Sequence, residues 1–172
     1  MQSRRQLNGV LQLVLAAVIF VVPVIGCSYV APTLLPIFVE APLDLSQEGA
    51  VAETEFRVWC EDDYVMKITY DTFGASFYDN PIIQYLGGWQ PASHTGARIP
   101  LHVLIVKQTP HGEEVVVNEV KDGGGIAALA INNTVGQFSL KAGKYKLRVT
   151  NMKGHRQLKY VPAKIFMWYS RA

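Results

Sequence analysis

The side chains with the most intrinsic chemistry in this 172-residue chain are two cysteines and four histidines, and their spacing assembles few of them. Cys27 closes a long apolar run at Val24-Ile25-Gly26-Cys27. Cys60 ends the alternating run Phe56-Arg57-Val58-Trp59-Cys60, on the face of Phe56 and Val58, as a small buried apolar thiol would. A Cys27–Cys60 disulfide is the alternative, in a protein whose leader is cleaved in the ordinary way or retained. A nucleophilic role has the least support, because no histidine lies near Cys60 in sequence. His94 falls in a Ser/Thr/Gly loop, His102 on an apolar strand, and His111 and His155 in turns. None has metal-ligand spacing to Cys, Asp or Glu, and His102 reads as a satisfied core or interface histidine. Glu61-Asp62-Asp63 reads as a solvated turn, and Gly123-Gly124-Gly125 leads into no clear helix that would cradle a phosphate. Neither a catalytic set, a metal site nor a cofactor site is expected, so the chain reads as a non-enzyme.

Aromatic side chains are the better candidates for function. The connection from Asp71 to Pro100 carries Tyr78, Tyr85 and Trp89 among glycines and prolines. Loops beyond about 12–15 residues are often functional in compact domains. Tyr and Trp give large contact area at low entropic cost. Tyr78, Tyr85 and Trp89 are therefore expected to contribute to a partner-binding surface. The competing expectation is that they fold back and seal one end of the domain.

The elements around these residues begin with an export segment. Arg4 and Arg5 precede an apolar core whose strongest stretch, Leu13 to Val22, is about ten residues long, within the range of a secretory h-region. A spanning helix needs roughly 20 apolar residues. The chain is uncharged from Gln6 to Val39, so a retained membrane anchor stays open on length. Pro23, Pro32 and Pro36 argue against one continuous helix, since each lacks a backbone donor. Ordinary signal peptidase selects an A-x-A-like site, and none is convincing between Val21 and Pro36.

Val24-Ile25-Gly26-Cys27 instead resembles the lipobox of bacterial lipoproteins: an aliphatic residue, a small or aliphatic residue, Gly or Ala, then Cys. The resemblance implies cleavage before Cys27 and diacylglycerol on its sulfur. Ser28, where aspartate would signal retention, implies the periplasmic face of the outer membrane. Each buried methylene contributes about 0.8 kcal/mol, and one acyl chain alone binds only weakly, so the two or three chains of a lipoprotein give durable attachment. Residues 1–26 then form the signal peptide and 27–42 the acylated cysteine with a proline-spaced tether. Residues 43–172 form the folded domain.

Charge narrows the partners. The full chain has 16 basic and 14 acidic residues, and removing Arg4 and Arg5 leaves the two equal. A neutral domain offers no electrostatic reason for a nucleic-acid partner. The membrane, through the acyl chains, and another protein are the partners expected.

Strand signals dominate the rest. Glu53–Cys60 and Tyr64–Tyr70 alternate and read as a hairpin, with Tyr64, Met66, Ile68 and Tyr70 on one face. Leu101–Val106 reads as a central strand covered on both faces. Glu114–Val120, Val135–Leu140, Lys144–Thr150 and Lys164–Tyr169 bring the count to about seven, and only Ile126–Ile131 has helical flavour. Short strands separated by turn clusters predict an all-β, antiparallel, immunoglobulin-like sandwich behind the N-terminal segment. The segment Phe138 to Val149 resembles the corner of such sandwiches where a tyrosine, here Tyr145, bonds back to the loop before it. The region from Leu43 to Tyr169 also resembles a family of uncharacterised bacterial lipoprotein domains. That resemblance rests on the first strand pair leading to Arg98-Ile99-Pro100-Leu101-His102-Val103, and on Leu140 to Val149, and it implies a fold without a reaction.

The reading of the whole is a non-catalytic, lipid-anchored cell-envelope protein that binds another protein, in one concrete form a periplasmic inhibitor or immunity protein. A carbohydrate- or peptidoglycan-binding envelope module is the alternative.

Overall fold

The computed structural model describes residues 39–71, 85–86, 97–123, 126–127 and 130–170. Among them run nine strands: β1 (Val39–Pro42), β2 (Val51–Val58), β3 (Asp62–Tyr70), β4 (Ile99–Thr109), β5 (Gly112–Gly123), β6 (Ile126–Ala127), β7 (Ala130–Leu140), β8 (Gly143–Asn151) and β9 (Ala163–Tyr169). They form an antiparallel five-stranded sheet, β1-β9-β3-β7-β6, and a four-stranded sheet, β2-β8-β4-β5. The sheets bury their facing residues in one core.

Period-2 alternation decides which residues enter that core. Tyr64, Met66 and Ile68 on β3 meet Ile165 and Met167 on β9, all fully buried. Leu101, Val103 and Ile105 on β4 and Tyr145, Leu147 and Val149 on β8 supply the other wall. Residues between them point outward. Lys144, Lys146 and Arg148 form the outer row of β8 and meet Arg57, Glu55 and Glu53 across the β2 register. Arg148 Nε lies 2.9 Å from Glu53 Oε1, and Lys146 Nζ 2.8 Å from Glu113 Oε1.

Four sequence expectations change. β2 and β3 are not a hairpin, because they pair in different sheets, β2 with β8 and β3 with β9 and β7. Alternation fixes which face is buried but not which strand lies alongside, and the Trp59–Glu61 link carries the chain across the core. β4 is buried on one face only, with His102 and Leu104 half-exposed on the other. Ile126 and Ala127 are strand, pairing with β7. Val39–Pro42, read as the end of a tether, is paired with β9, so the sheet begins before residue 43.

The tyrosine corner is present. Tyr145 hydroxyl donates to the Lys141 carbonyl at 2.6 Å, and its ring stacks on Phe56 at 5.4 Å. Tyr64 repeats the device in the other sheet, donating to the Cys60 carbonyl at 3.1 Å. Burial pushes both phenols up, which keeps them protonated and able to donate. Each bond pins the arch through which the chain changes sheets.

In immunoglobulin domains the last two strands share a sheet and the first lies beside the second. Here β8 and β9 lie in opposite sheets, β2 pairs with β8, and β9 takes the place beside β3. β5 is the long edge of the four-stranded sheet and exposes Val115 and Val120. A register shift opposite Ile105/Val106 and the flanking Glu113, Glu114, Glu119 and Asp122 break that edge as a template for further strands.

Candidate functional site

Of the sequence-predicted site residues, Tyr85 is described, whereas Cys27, Tyr78 and Trp89 lie outside the described residues. Tyr85 is partly buried and packs against the core. Its hydroxyl lies 2.9 Å from His155 Nδ1, and the rings meet edge-on at 6.2 Å. The Ala97 amide donates to the Tyr85 carbonyl at 3.0 Å, fixing the return of the long connection to β4. Leu86 beside it is fully buried. Tyr85 therefore links the connection between β3 and β4 to the one between β8 and β9.

His155 is 5% exposed, and its Nε2 is buried without a partner. A buried unpartnered lone pair costs less than a buried unpartnered N–H, so the favoured neutral tautomer carries its proton on Nδ1 and donates to Tyr85. Burial, and secondarily the Lys153 ammonium, hold the imidazole below its ordinary pKa of 6.5. The unfolded chain binds this proton more readily than the folded one. Folding stability from this residue is thus fully present above about pH 6.5 and is lost as pH falls toward the depressed folded value. In urea titrations, wild type should lose more stability than His155→Asn between pH 7.5 and 5.5. The difference should approach at most about 1.4 kcal/mol per pH unit for one proton. Equal losses in the two proteins would show that His155 does not titrate on folding.

His102 sits on the outer face of the four-stranded sheet, where Nε2 lies 2.7 Å from Asn118 Oδ1, rather than in the core. His111 is exposed in the β4–β5 turn, which Thr109 Oγ1 closes by donating to the Gly112 carbonyl at 2.8 Å. Cys60 is buried and disulfide-bonded, so the free apolar thiol gives way to an oxidised one. Among the described residues no group of three or more His, Cys, Asp or Glu is arranged to hold a metal ion.

The outer face of the five-stranded sheet presents a feature the sequence reading passed over. Phe166 and Trp168 point away from the core on β9, between the buried Ile165, Met167 and Tyr169. Trp168 is 37% exposed and meets Phe166 edge-to-face at 5.6 Å and 62°. β3 places Val65 opposite Trp168 and Lys67 opposite Phe166, and β7 continues those rows with Gln137 and Thr134. Lys67 Nζ lies 5.5 Å from the Trp168 ring centroid. A signal for this face was available: Ile165–Tyr169 is apolar on both of its alternating faces, more than one buried face requires. A second exposed tryptophan, Trp59, is covered by the Arg57 guanidinium at 4.1 Å near the β2–β3 link.

Comparisons with known proteins bear on the fold. A crystal structure of a protein from Sulfurospirillum deleyianum is similar at a TM-score of 0.68 and 14% identity, over 78% of this chain and 98% of that one. Identity at that level speaks for a shared fold. No curated protein matches. The family described as "Domain of unknown function (DUF5625)" matches residues 40–169, which span β1 through β9 but for Val39. The chain therefore belongs to the DUF5625 family.

Proposed function

We propose that this chain is a non-catalytic, lipid-anchored protein of the bacterial cell envelope whose β-sandwich binds another protein. The observation that carries the binding half is the aromatic outer face of the five-stranded sheet. Phe166 and Trp168 add apolar surface that contributes nothing to the facing core, and interface anchors are rich in such side chains. Val24-Ile25-Gly26-Cys27 supports the anchoring half, through the lipobox it resembles and the outer-membrane placement that Ser28 implies. An inhibitor or immunity protein acting in the periplasm is the concrete form. We also infer that the sandwich is an immunoglobulin-like one with its terminal strands exchanged, a relation supported by the Tyr145 corner and by the β3–β7 and β4–β8 pairs at its centre.

A second reading for the N-terminal segment is favoured by the disulfide at Cys60. The chain has two cysteines, so within one molecule the Cys27 sulfur serves either a thioether or a disulfide. Intact mass of the membrane-extracted mature protein, with and without reductant, decides between them. Acyl mass on an N-terminal Cys27 is what the anchor requires, and the disulfide at Cys60 would then have to join two molecules. A residue 27 without lipid, or a mature chain that gains two hydrogens on reduction as an internal disulfide opens to two thiols, would overturn the anchor. For the binding half, a stoichiometric protein should co-purify. Retention on peptidoglycan or a glycan array instead would support the carbohydrate-binding alternative.

A further inference from the structure

We infer that the free edge of β2 takes an added β-strand from a partner protein, with a lysine or arginine of that strand set against Glu55. This rests on the reading of the chain as a protein-binding module, but not on the aromatic face of the five-stranded sheet. Backbone, shape and charge each carry a part of it.

The backbone makes β2 the edge open to a further strand. Among the described residues four strands end the two sheets, β1 and β6 in one and β2 and β5 in the other. β1 and β6 have four and two residues, too few for a ladder, and β5 is interrupted by its register shift. β2 runs for eight residues and keeps one register along β8. The Asn151 amide donates to the Ala50 carbonyl at 2.8 Å, which fixes the phase of that pairing. Successive residues of an antiparallel strand turn their N–H and C=O to opposite sides. Ala52, Thr54 and Phe56 therefore bond β8, while Val51, Glu53, Glu55 and Arg57 turn theirs to the unpaired side. Those four residues are exposed. Strand addition draws its affinity from such a row of backbone groups and its specificity from pockets for alternate side chains.

Shape and charge select the added strand. A hollow of about 330 Å³ opens beside the middle of this edge, lined by Glu53, Thr54, Glu55 and Lys146. It has room for one long side chain of the partner. Its charged groups are already paired, but for one. Arg148 holds Glu53 at 2.9 Å, and Lys146, opposite Glu55 in the register, gives its ammonium to Glu113 at 2.8 Å. Glu55 has no ion pair among the described residues. Opposite charges on neighbouring strands stabilise a sheet, and like charges directly opposite destabilise it. A basic side chain on the added strand meets the first condition. A second copy of this chain meets the second, since pairing residues 51–57 in full with themselves sets Glu53 against Glu55 twice.

Random linear peptides displayed on phage and panned against the detergent-solubilised full-length chain test this. Enriched sequences should alternate β-branched or aromatic residues with others and carry Lys or Arg. A synthetic peptide of the leading sequence is then N-methylated at alternate residues, in two complementary versions. One version should bind as the parent does, and the other should lose affinity by about tenfold or more, because only one set of its amides faces β2. The parent should weaken against Glu55→Lys, with an unchanged melting curve for that exposed position, and recover when its own basic residue is exchanged for glutamate. Trp168→Ser should bind the parent as wild type does. The absence of an enriched alternating sequence, equal effects of the two methylated versions, or undiminished binding to Glu55→Lys would each overturn the inference. So would binding lost on Trp168→Ser, or a dimer of the chain that Glu55→Lys dissolves. Co-purification of a stoichiometric protein uses none of these peptides, so failure of the binding reading and failure of the β2 edge are told apart.

Discussion

Asn151→Asp should destabilise the protein by about 3–5 kcal/mol at neutral pH, more than Asn151→Ala, although aspartate matches asparagine in size. Asn151 is fully buried at the end of β8. Its amide nitrogen donates to the Leu45 carbonyl at 3.1 Å and to the Gln47 carbonyl at 2.7 Å, while its own backbone pairs with Gly49 and Ala50. One side chain therefore supplies two of the donors that hold the β1–β2 loop in place. Alanine removes the donors. The Leu45 carbonyl keeps its bond from the His155 amide, but the Gln47 carbonyl retains only a 3.5 Å contact with the Ala50 amide. A loss of about 2–3 kcal/mol follows for the lost bonds and the poorly satisfied acceptor. Aspartate does worse, because it turns a donor into an ionised acceptor aimed at two carbonyl oxygens.

The pH dependence separates the two variants. Burial and carbonyl repulsion raise the folded pKa of the introduced carboxyl above its unfolded value of about 3.9. Its destabilisation is therefore greatest at neutral pH and shrinks as pH falls through the raised folded value, where the protonated acid can donate one bond. Denaturant titrations at pH 7 and pH 4.5 should show the gap between Asn151→Asp and Asn151→Ala narrowing. A constant gap would mean that the site admits water and that the carboxylate is solvated there.

What the sequence makes legible is the face each strand buries, and what it hides is the partner of each strand. Tyr64, Met66 and Ile68 announce a buried row by spacing alone, as do Tyr145, Leu147 and Val149, and both rows are in the core. Tyr145 announces its bond too, through the sandwich corner that the segment Phe138 to Val149 resembles. The same periodicity is silent on whether β2 returns beside β3 or crosses to β8. That choice depends on the Trp59–Glu61 arch and on residues about 90 positions later that complete each sheet. The short strands β1 and β6 are invisible for a related reason: four and two residues give no period to read. Site residues divide in the same way. Tyr85 is conspicuous as an aromatic in a glycine-rich connection, but its partner His155 is 70 residues away. Trp168 hides in plain view, since an aromatic in a strand passes for core until the opposite face is known to be filled by Ile165 and Met167.

The β1–β2 loop that Asn151 holds is also approached by Gly154, so Gly154→Ala should cost about 1–3 kcal/mol even though alanine fits the backbone conformation. A β-carbon at residue 154 would stand 2.8 Å from the Ser46 carbonyl oxygen and 3.0 Å from the Glu48 amide nitrogen. Both neighbours are backbone, so no rotamer change relieves the contact. The loop also has little room to withdraw. Ser46 donates its amide and hydroxyl to Asp44 Oδ1 at 2.8 and 2.6 Å, and these bonds hold the Asp44 carboxyl below the usual carboxylate range. Leu45 is bound by His155 and Asn151 from the other side. Inserting one methyl group therefore means either lengthening several hydrogen bonds together or shifting the residues that lead to His155. The second route would move His155 away from Tyr85. A melting-temperature decrease for Gly154→Ala, with a weaker pH dependence than wild type between 7.5 and 5.5, would show strain passing along the loop into the Tyr85–His155 contact. A decrease with the wild-type pH dependence would confine the strain to residues 46–48. An unchanged melting temperature would show that the loop yields freely and that the close approach of Gly154 does not restrain it.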